Sequence, residues 1–222
     1  MTLQIFLKKR KYELLLGALL QHLFIGIFLR DMELYTEVLW PINMGILGLA
    51  SVGVFIAKGK LTNTLKTALT LIVIAFPVLL SFFKGVPQFM FLLNVSYVAF
   101  FTFIFVSVFQ FLIKPSYINI DIISAAACGL LLMIEIFVFL FQMWAYLDTN
   151  SFKGLDYSNP ANTYMDLVYF CSITLTTIGY GDITPNAHYT KLVAALMGIA
   201  GQFYSVVLVG ILVSKFSNKK EE

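Results

Sequence analysis

Between Thr174 and Pro185 the chain reads TLTTIGYGDITP, a stretch whose chemistry lies in its main chain more than in its side chains. Gly179 and Gly181 can take positive φ without a Cβ penalty, so alternating backbone conformations can turn successive carbonyls the same way. The carbonyls of Thr177, Ile178, Gly179 and Tyr180, with the Thr177 hydroxyl below them, then make oxygen layers about 3 Å apart along one axis. Such a stack can replace the water of a dehydrated cation. On this reading the side chains of Ile178 and Tyr180 point away from the axis and wedge the strand open.

The preceding residues must hold such a segment in place. TYMDLVYFCSITL, Thr163 to Leu175, is apolar and opens on Thr163 with Asp166 three positions later, which predicts a capping-box helix start. Its 13 or so residues span about 20 Å at about 1.5 Å each, so the helix can enter a bilayer but cannot cross it. The chain then returns as irregular backbone, which at membrane depth is tolerated only when buried in protein or lining a wet cavity. The polar run from Asp148 to Asn162 ahead of it, DTNSFKGLDYSNPAN, reads as a loop outside the membrane.

Composition requires the membrane. Of 222 residues 59% are hydrophobic and only 12% charged, too little polar surface to coat a soluble globule. Uncharged runs near the roughly 20 residues a helix needs to span the hydrocarbon predict six crossings: Glu13 to Leu29, Val38 to Ala57, Leu65 to Phe83, Gln88 to Ile113, Ile120 to Leu147 and Leu192 to Phe216. Lys8, Lys9, Arg10, Lys11, Lys58, Lys60, Lys66, Lys114, Lys215, Lys219 and Lys220 fall on one face, against Arg30, Lys84, Lys153 and Lys191 on the other. Basic residues near span ends stay cytoplasmic, so both termini are expected there, in a multi-pass protein of the cell membrane. The first apolar run is read as a span and not a cleaved leader, because RDMELYTE follows it without a small-residue cleavage site. Cys128 and Cys171 fall at membrane depth, where packing is their expected role.

A short apolar helix, TTIGYGD and a last span in this order resemble the pore of potassium channels, over roughly Asn162 to Phe216 and more weakly back through span five. The resemblance implies an all-α membrane protein with six transmembrane helices, a re-entrant pore helix and a filter loop, assembled as a homotetramer that conducts K+ passively without a cofactor. Residues 1–114 become a four-helix peripheral domain and 115–222 the pore domain. Thr177, Ile178, Gly179, Tyr180 and Gly181 match the ion-coordinating strand, with K+ at Thr177 to Tyr180, and Asp182 matches the acid at its outer mouth. Tyr169 and Phe170 stand where many members carry two tryptophans, and with Thr176 and Asp182 they are expected to support the filter. Ile173 replaces the glutamate that some members place behind it, so no carboxylate pair with Asp182 can form there.

Six spans also resemble the voltage-gated branch, yet span four, QFMFLLNVSYVAFFTFIFVSVFQFLI, carries no basic residue. Moving one charge through the field yields about 2.3 kcal/mol per 100 mV, so a sensor needs several. The expected channel is largely voltage-insensitive. Glu135, deep in span five, is a candidate regulatory residue by its cost in lipid alone. A protonated, helix-bridging acid is the alternative. Gln21 and His22 read either as a pH-sensing pair or as a helix-packing hydrogen bond. Gly198 and Gly201 read either as a gating hinge or as close packing against the pore helix, since an interior glycine weakens a helix by about 1 kcal/mol. No catalytic constellation is visible, so no enzyme is expected. The rival readings are a transporter, a non-conducting accessory subunit or sensor, and a weakly selective cation channel.

Overall fold

The computed structural model describes residues 10–55, 87–114 and 119–217, together with positions 67, 71–73, 75, 76 and 79. The chain is mostly helical, and five described helices are long and apolar enough to cross a membrane. The expected third span, Leu65 to Phe83, lies for the most part outside the described residues.

Helix α1 (Lys11–Phe24) tightens into a 3-10 turn at Ile25–Phe28. The Asp31 carboxylate then accepts from the Glu33 and Leu34 amides and starts α2 (Met32–Leu34). A π turn at Tyr35–Leu39 leads directly into α3 (Trp40–Phe55). Pro41 accounts for the widening: it lacks the N–H that would reach back one turn, and its ring crowds the carbonyl of Glu37. Helix α4 (Pro87–Leu112) is a second uninterrupted span. Helix α5 (Ile120–Leu147) starts where the Asn119 side chain accepts from the Ile122 amide. The connection beyond it holds strand β1 (Phe152–Lys153), helix α6 (Pro160–Leu175) and strand β2 (Thr184–Pro185), and α7 (His188–Ser217) ends the described chain.

Helix α5 is the hub. It packs against α1, α4, α6 and α7, and 67% of its apolar stretch is buried inside the chain against 17% for α7. Lipid tails are as apolar as leucine, so helix association here rests on fit and interhelical hydrogen bonds. Two kinds of surface on α5 provide that fit. At its C-terminal half large rings interlock: Phe139 stacks on Phe101 at 5.6 Å and meets Tyr97 at 4.6 Å. At its N-terminal half Ser124, Ala125, Ala126, Cys128 and Gly129 are small and buried, which lets Tyr204 of α7 lie against the helix and donate its hydroxyl to the Ala126 carbonyl at 2.7 Å.

Helix α7 contributes the opposite kind of surface. Leu192, Leu196, Ile199, Phe203, Val206, Val209 and Val213 are 57–69% exposed and recur at three- and four-residue spacing, an apolar stripe that the other described residues do not cover.

A Cβ at position 129 would fall on the Tyr204 hydroxyl. Gly129→Ala is therefore expected to lower unfolding stability in lipid nanodiscs by about 1–3 kcal/mol. Adding Tyr204→Phe, which removes the colliding oxygen, should recover part of that loss; additive losses would show that the two residues do not meet.

Candidate functional site

Helix α6 begins one turn before the expected capping box. Asn159 is its cap, accepting from the Ala161 amide at 2.9 Å, and Pro160 takes the first helical position, where its missing N–H costs nothing. Thr163 and Asp166 serve the approaching loop instead. The Thr163 hydroxyl donates to the Asp156 carbonyl at 2.8 Å, and the Asp166 carboxylate accepts from the Asp156 amide at 2.8 Å. The Ser158 hydroxyl and amide and the Asn162 amide group hold the Asp156 carboxyl below the usual range, so this exposed acid stays charged.

The other end of α6 carries the segment TTIGYGD. Both the Ile178 and Gly179 amides donate to one carbonyl, that of Ile173, at 2.8 and 3.1 Å. The segment thus hangs from the last turn of the helix by its N–H groups. Along it, Thr177, Gly179 and Gly181 have φ of 64°, 54° and 83°, whereas Ile178 and Tyr180 do not enter the positive-φ region. The sign of φ alternates residue by residue over five positions, the geometry that turns successive carbonyls one way. A Cβ on Gly179 or Gly181 would meet nothing within 4 Å, so glycine is needed there for its dihedral and not for space. Thr177 is the unforeseen member: a β-branched residue held at positive φ is strained, and such strain concentrates at functional sites. Thr176 turns its hydroxyl back to the Ser172 carbonyl at 2.7 Å, closing the helix end.

The limb that follows TTIGYGD is stapled to the loop leaving α5. Strand β2 pairs antiparallel with β1, Thr184 opposite Lys153 and Pro185 opposite Phe152, and the Asn186 amide donates to the Ser151 carbonyl at 2.8 Å. Gly154, at φ 86°, passes so close to the Asp182 carbonyl that no side chain fits.

Tyr169 and Phe170 divide the supporting work. Phe170 is buried edge-on to Phe141 at 5.6 Å and Phe152 at 5.5 Å. Tyr169 lies parallel to Tyr180 with ring centroids 6.5 Å apart, and its hydroxyl donates to the Asp182 carboxylate at 2.7 Å. That bond holds the Asp182 carboxyl below its ordinary range. A phenol thus gives the outer acid a charge-assisted partner without the absent glutamate.

The two glycine candidates in α7 separate. A Cβ at Gly201 would strike Leu175 Cδ2 at the end of α6, whereas one at Gly198 meets nothing within 4 Å. Close packing explains Gly201; Gly198 keeps the freedom a hinge requires. Gln21 and His22 also part company, for Gln21 donates to Asn43 of α3 at 3.0 Å while His22 faces Glu135. Glu135 lies with Tyr164 of α6, whose hydroxyl donates to it. Nothing in the sequence pointed to Tyr164, whereas the Asn-Pro pair at 159 and 160 was a readable helix start.

Residues 129–218 match the family model described as an ion channel. Two pore potassium channel a of Oryza sativa subsp. japonica is 38% identical over 90 residues, 40% of this chain and 23% of that protein. The matched segment is thus similar to ion channels, and this relative is named a potassium channel. Two-pore potassium channel 3 of Arabidopsis thaliana is 42% identical over 55 residues, 24% of this chain and 13% of that protein. Potassium voltage-gated channel subfamily KQT member 4 of Homo sapiens is 37% identical over 67 residues, 30% of this chain and 10% of its own. The chain therefore covers less than a quarter of the length of each of these relatives. No solved structure matches it significantly.

Two outcomes test this geometry. Gly198→Ala should keep or raise thermal stability, by up to about 1 kcal/mol from helix propensity, while Gly201→Ala should lower it by displacing Leu175; equal effects would remove the distinction. Tyr169→Phe should raise the Asp182 carboxyl toward an ordinary aspartate value of about 3.9, read by carbon NMR. Because the native value is the depressed one, the carboxylate's contribution to stability is present above the ordinary value. It disappears as pH falls through the depressed one, and in the variant it should be missing throughout.

Proposed function

We propose that the chain forms a homotetrameric, potassium-selective channel that conducts K+ passively across the cell membrane with both termini cytoplasmic. The alternation of φ sign from Thr177 to Gly181 carries this reading. It turns a row of carbonyls toward one line, and a row of carbonyls is what replaces the hydration shell of a dehydrated alkali cation. One chain supplies one such strand, whereas coordination needs oxygens from several sides.

Two exposed surfaces support a ring of subunits. Ile178 and Tyr180 are 55% and 72% exposed beside the strand, and α7 leaves its apolar stripe uncovered. Four copies around one axis would cover both and close the ring of oxygens. Asp182, kept charged by Tyr169, places negative charge at the mouth and raises the local cation concentration.

The peripheral helices supply the scaffold without a motor. Helix α4 contains neither lysine nor arginine, so it has no charge to move through the field. Open probability is accordingly nearly flat in voltage, conduction needs no cofactor beyond the permeant ion, and no bond is made or broken.

The reading is tested by reconstituting the purified protein in planar bilayers with potassium on one side and sodium on the other. A reversal potential near the potassium equilibrium value is expected, with weak voltage dependence. Gly179→Ala places an L-residue at positive φ, at a cost of about 1–2 kcal/mol per strand, and should abolish selectivity while the protein still folds. Equal permeation of sodium in the native protein would overturn the proposal.

A further inference from the structure

Glu135 is a fully buried carboxyl halfway along α5, and it sits at the joint between the first two spans and the pore helix. Tyr164, on the second turn of α6, donates its hydroxyl to both carboxyl oxygens, at 3.2 and 3.3 Å. His22 of α1 brings Nε2 to 3.7 Å, beyond hydrogen-bond reach, and neither of its nitrogens has another partner. The rings of His22 and Trp40 pack on Tyr164 at 5.4 and 4.9 Å, and Tyr35, whose buried hydroxyl lacks a partner, packs on Trp40 at 5.8 Å. The titratable groups facing Glu135 are therefore His22 from α1, Tyr35 from the π turn, Tyr97 from α4, and Tyr164 and Cys171 from α6. Among the described residues the other buried charged side chain is Lys215, which bonds the Lys114 carbonyl at the opposite end of the spans.

The first two spans grip the same helix at two further points. The Thr36 hydroxyl, in the π turn, donates to the Asn159 side chain that caps α6, at 3.0 Å. Met165 lies against Gly26, with its sulfur 2.6 Å from where a Cβ would stand. The peripheral spans therefore hold the N-terminal half of the pore helix directly. The last turn of that helix holds the filter amides through the Ile173 carbonyl.

We propose that Glu135 is a positioning residue for the filter, holding the pore helix through Tyr164, and that His22 makes this hold depend on protonation. The first two spans then act on conduction through the pore helix. A neutral imidazole offers one donor and one acceptor, and it leaves the carboxyl to Tyr164. An imidazolium offers two donors and a positive charge among fully buried side chains, where a charged pair attracts strongly. A proton from bulk water that settles on His22 draws the carboxylate across the 3.7 Å gap, away from Tyr164, and loosens the pore helix. The inference rests on the channel reading for its effect on current, but not for the movement itself.

The test uses the full chain in lipid, with currents recorded between about pH 9 and pH 5, so that the buried Glu135–His22 pair is followed as one coupled unit. The native protein should change open probability several-fold. Glu135→Gln, which keeps a carbonyl for the Tyr164 hydroxyl, and His22→Gln should each give a flat profile with potassium selectivity retained. Tyr164→Phe should be flat as well and should speed hydrogen exchange at the Ile178 and Gly179 amides. In parallel, exchange at those two amides, corrected for its intrinsic pH dependence, should vary with pH in the native protein and not in Glu135→Gln or His22→Gln. A selective current with a flat native profile, or a native-like profile in both Glu135→Gln and His22→Gln, overturns the inference and leaves the channel reading intact. Absence of selective current overturns the channel reading, and amide exchange then decides the inference: protection that does not vary with pH sinks it.

Discussion

Two amides and one carbonyl carry the constraint on which the rest of the molecule depends. A peptide that leaves helical geometry inside a bilayer must find partners for its N–H groups, because lipid offers none and each orphan costs several kcal/mol. In the TTIGYGD segment the Ile178 and Gly179 amides share the Ile173 carbonyl at the end of α6. With the donors satisfied on the protein side, the carbonyls are released for another partner. The alternating backbone, with glycine at two of its three positive-φ positions, makes that division of donors and acceptors possible. Thr177 takes the third at an energetic cost.

The rest of the fold keeps that helix end still. Asn159 and Pro160 fix where α6 begins, Phe170 and Leu175 anchor its inner face, and the Ser151 carbonyl ties the outgoing limb to the loop from α5. Helix α5 carries small residues where α7 must come close and interlocking rings where α4 packs. The peripheral helices reach α6 through the Thr36–Asn159 hydrogen bond and through the His22 and Trp40 rings that pack on Tyr164. The described helices ahead of α5 thus keep a physical grip on α6 and on the segment that hangs from its end.

Much of this was legible beforehand, for reasons that are local. Apolar length marks a span regardless of neighbours, and the predicted fifth span, Ile120 to Leu147, coincides with α5. Glycine at 179 and 181 signals positive φ because no other residue adopts it without penalty. The start of α6 was misplaced by one turn because Thr163 and Asp166 imitate a capping box while binding Asp156 instead. Choosing between two plausible caps depends on where the preceding loop runs, which is a tertiary matter.

The sequence by itself determined the membrane class, five of the six expected spans and the positive φ of Gly179 and Gly181, because hydropathy and glycine dihedrals act over a few residues at a time. Only the tertiary structure decided which distant groups meet. It set Tyr169 on Asp182, 13 residues away, and Tyr164 on Glu135, 29 away. It placed Gly201 against Leu175 and left Gly198 open. It also parted Gln21 from His22, adjacent in the chain, toward Asn43 and Glu135. Successive helix positions point about 100° apart, so neighbours in sequence face different helices, and their partners are chosen by how α1, α3, α5 and α6 pack.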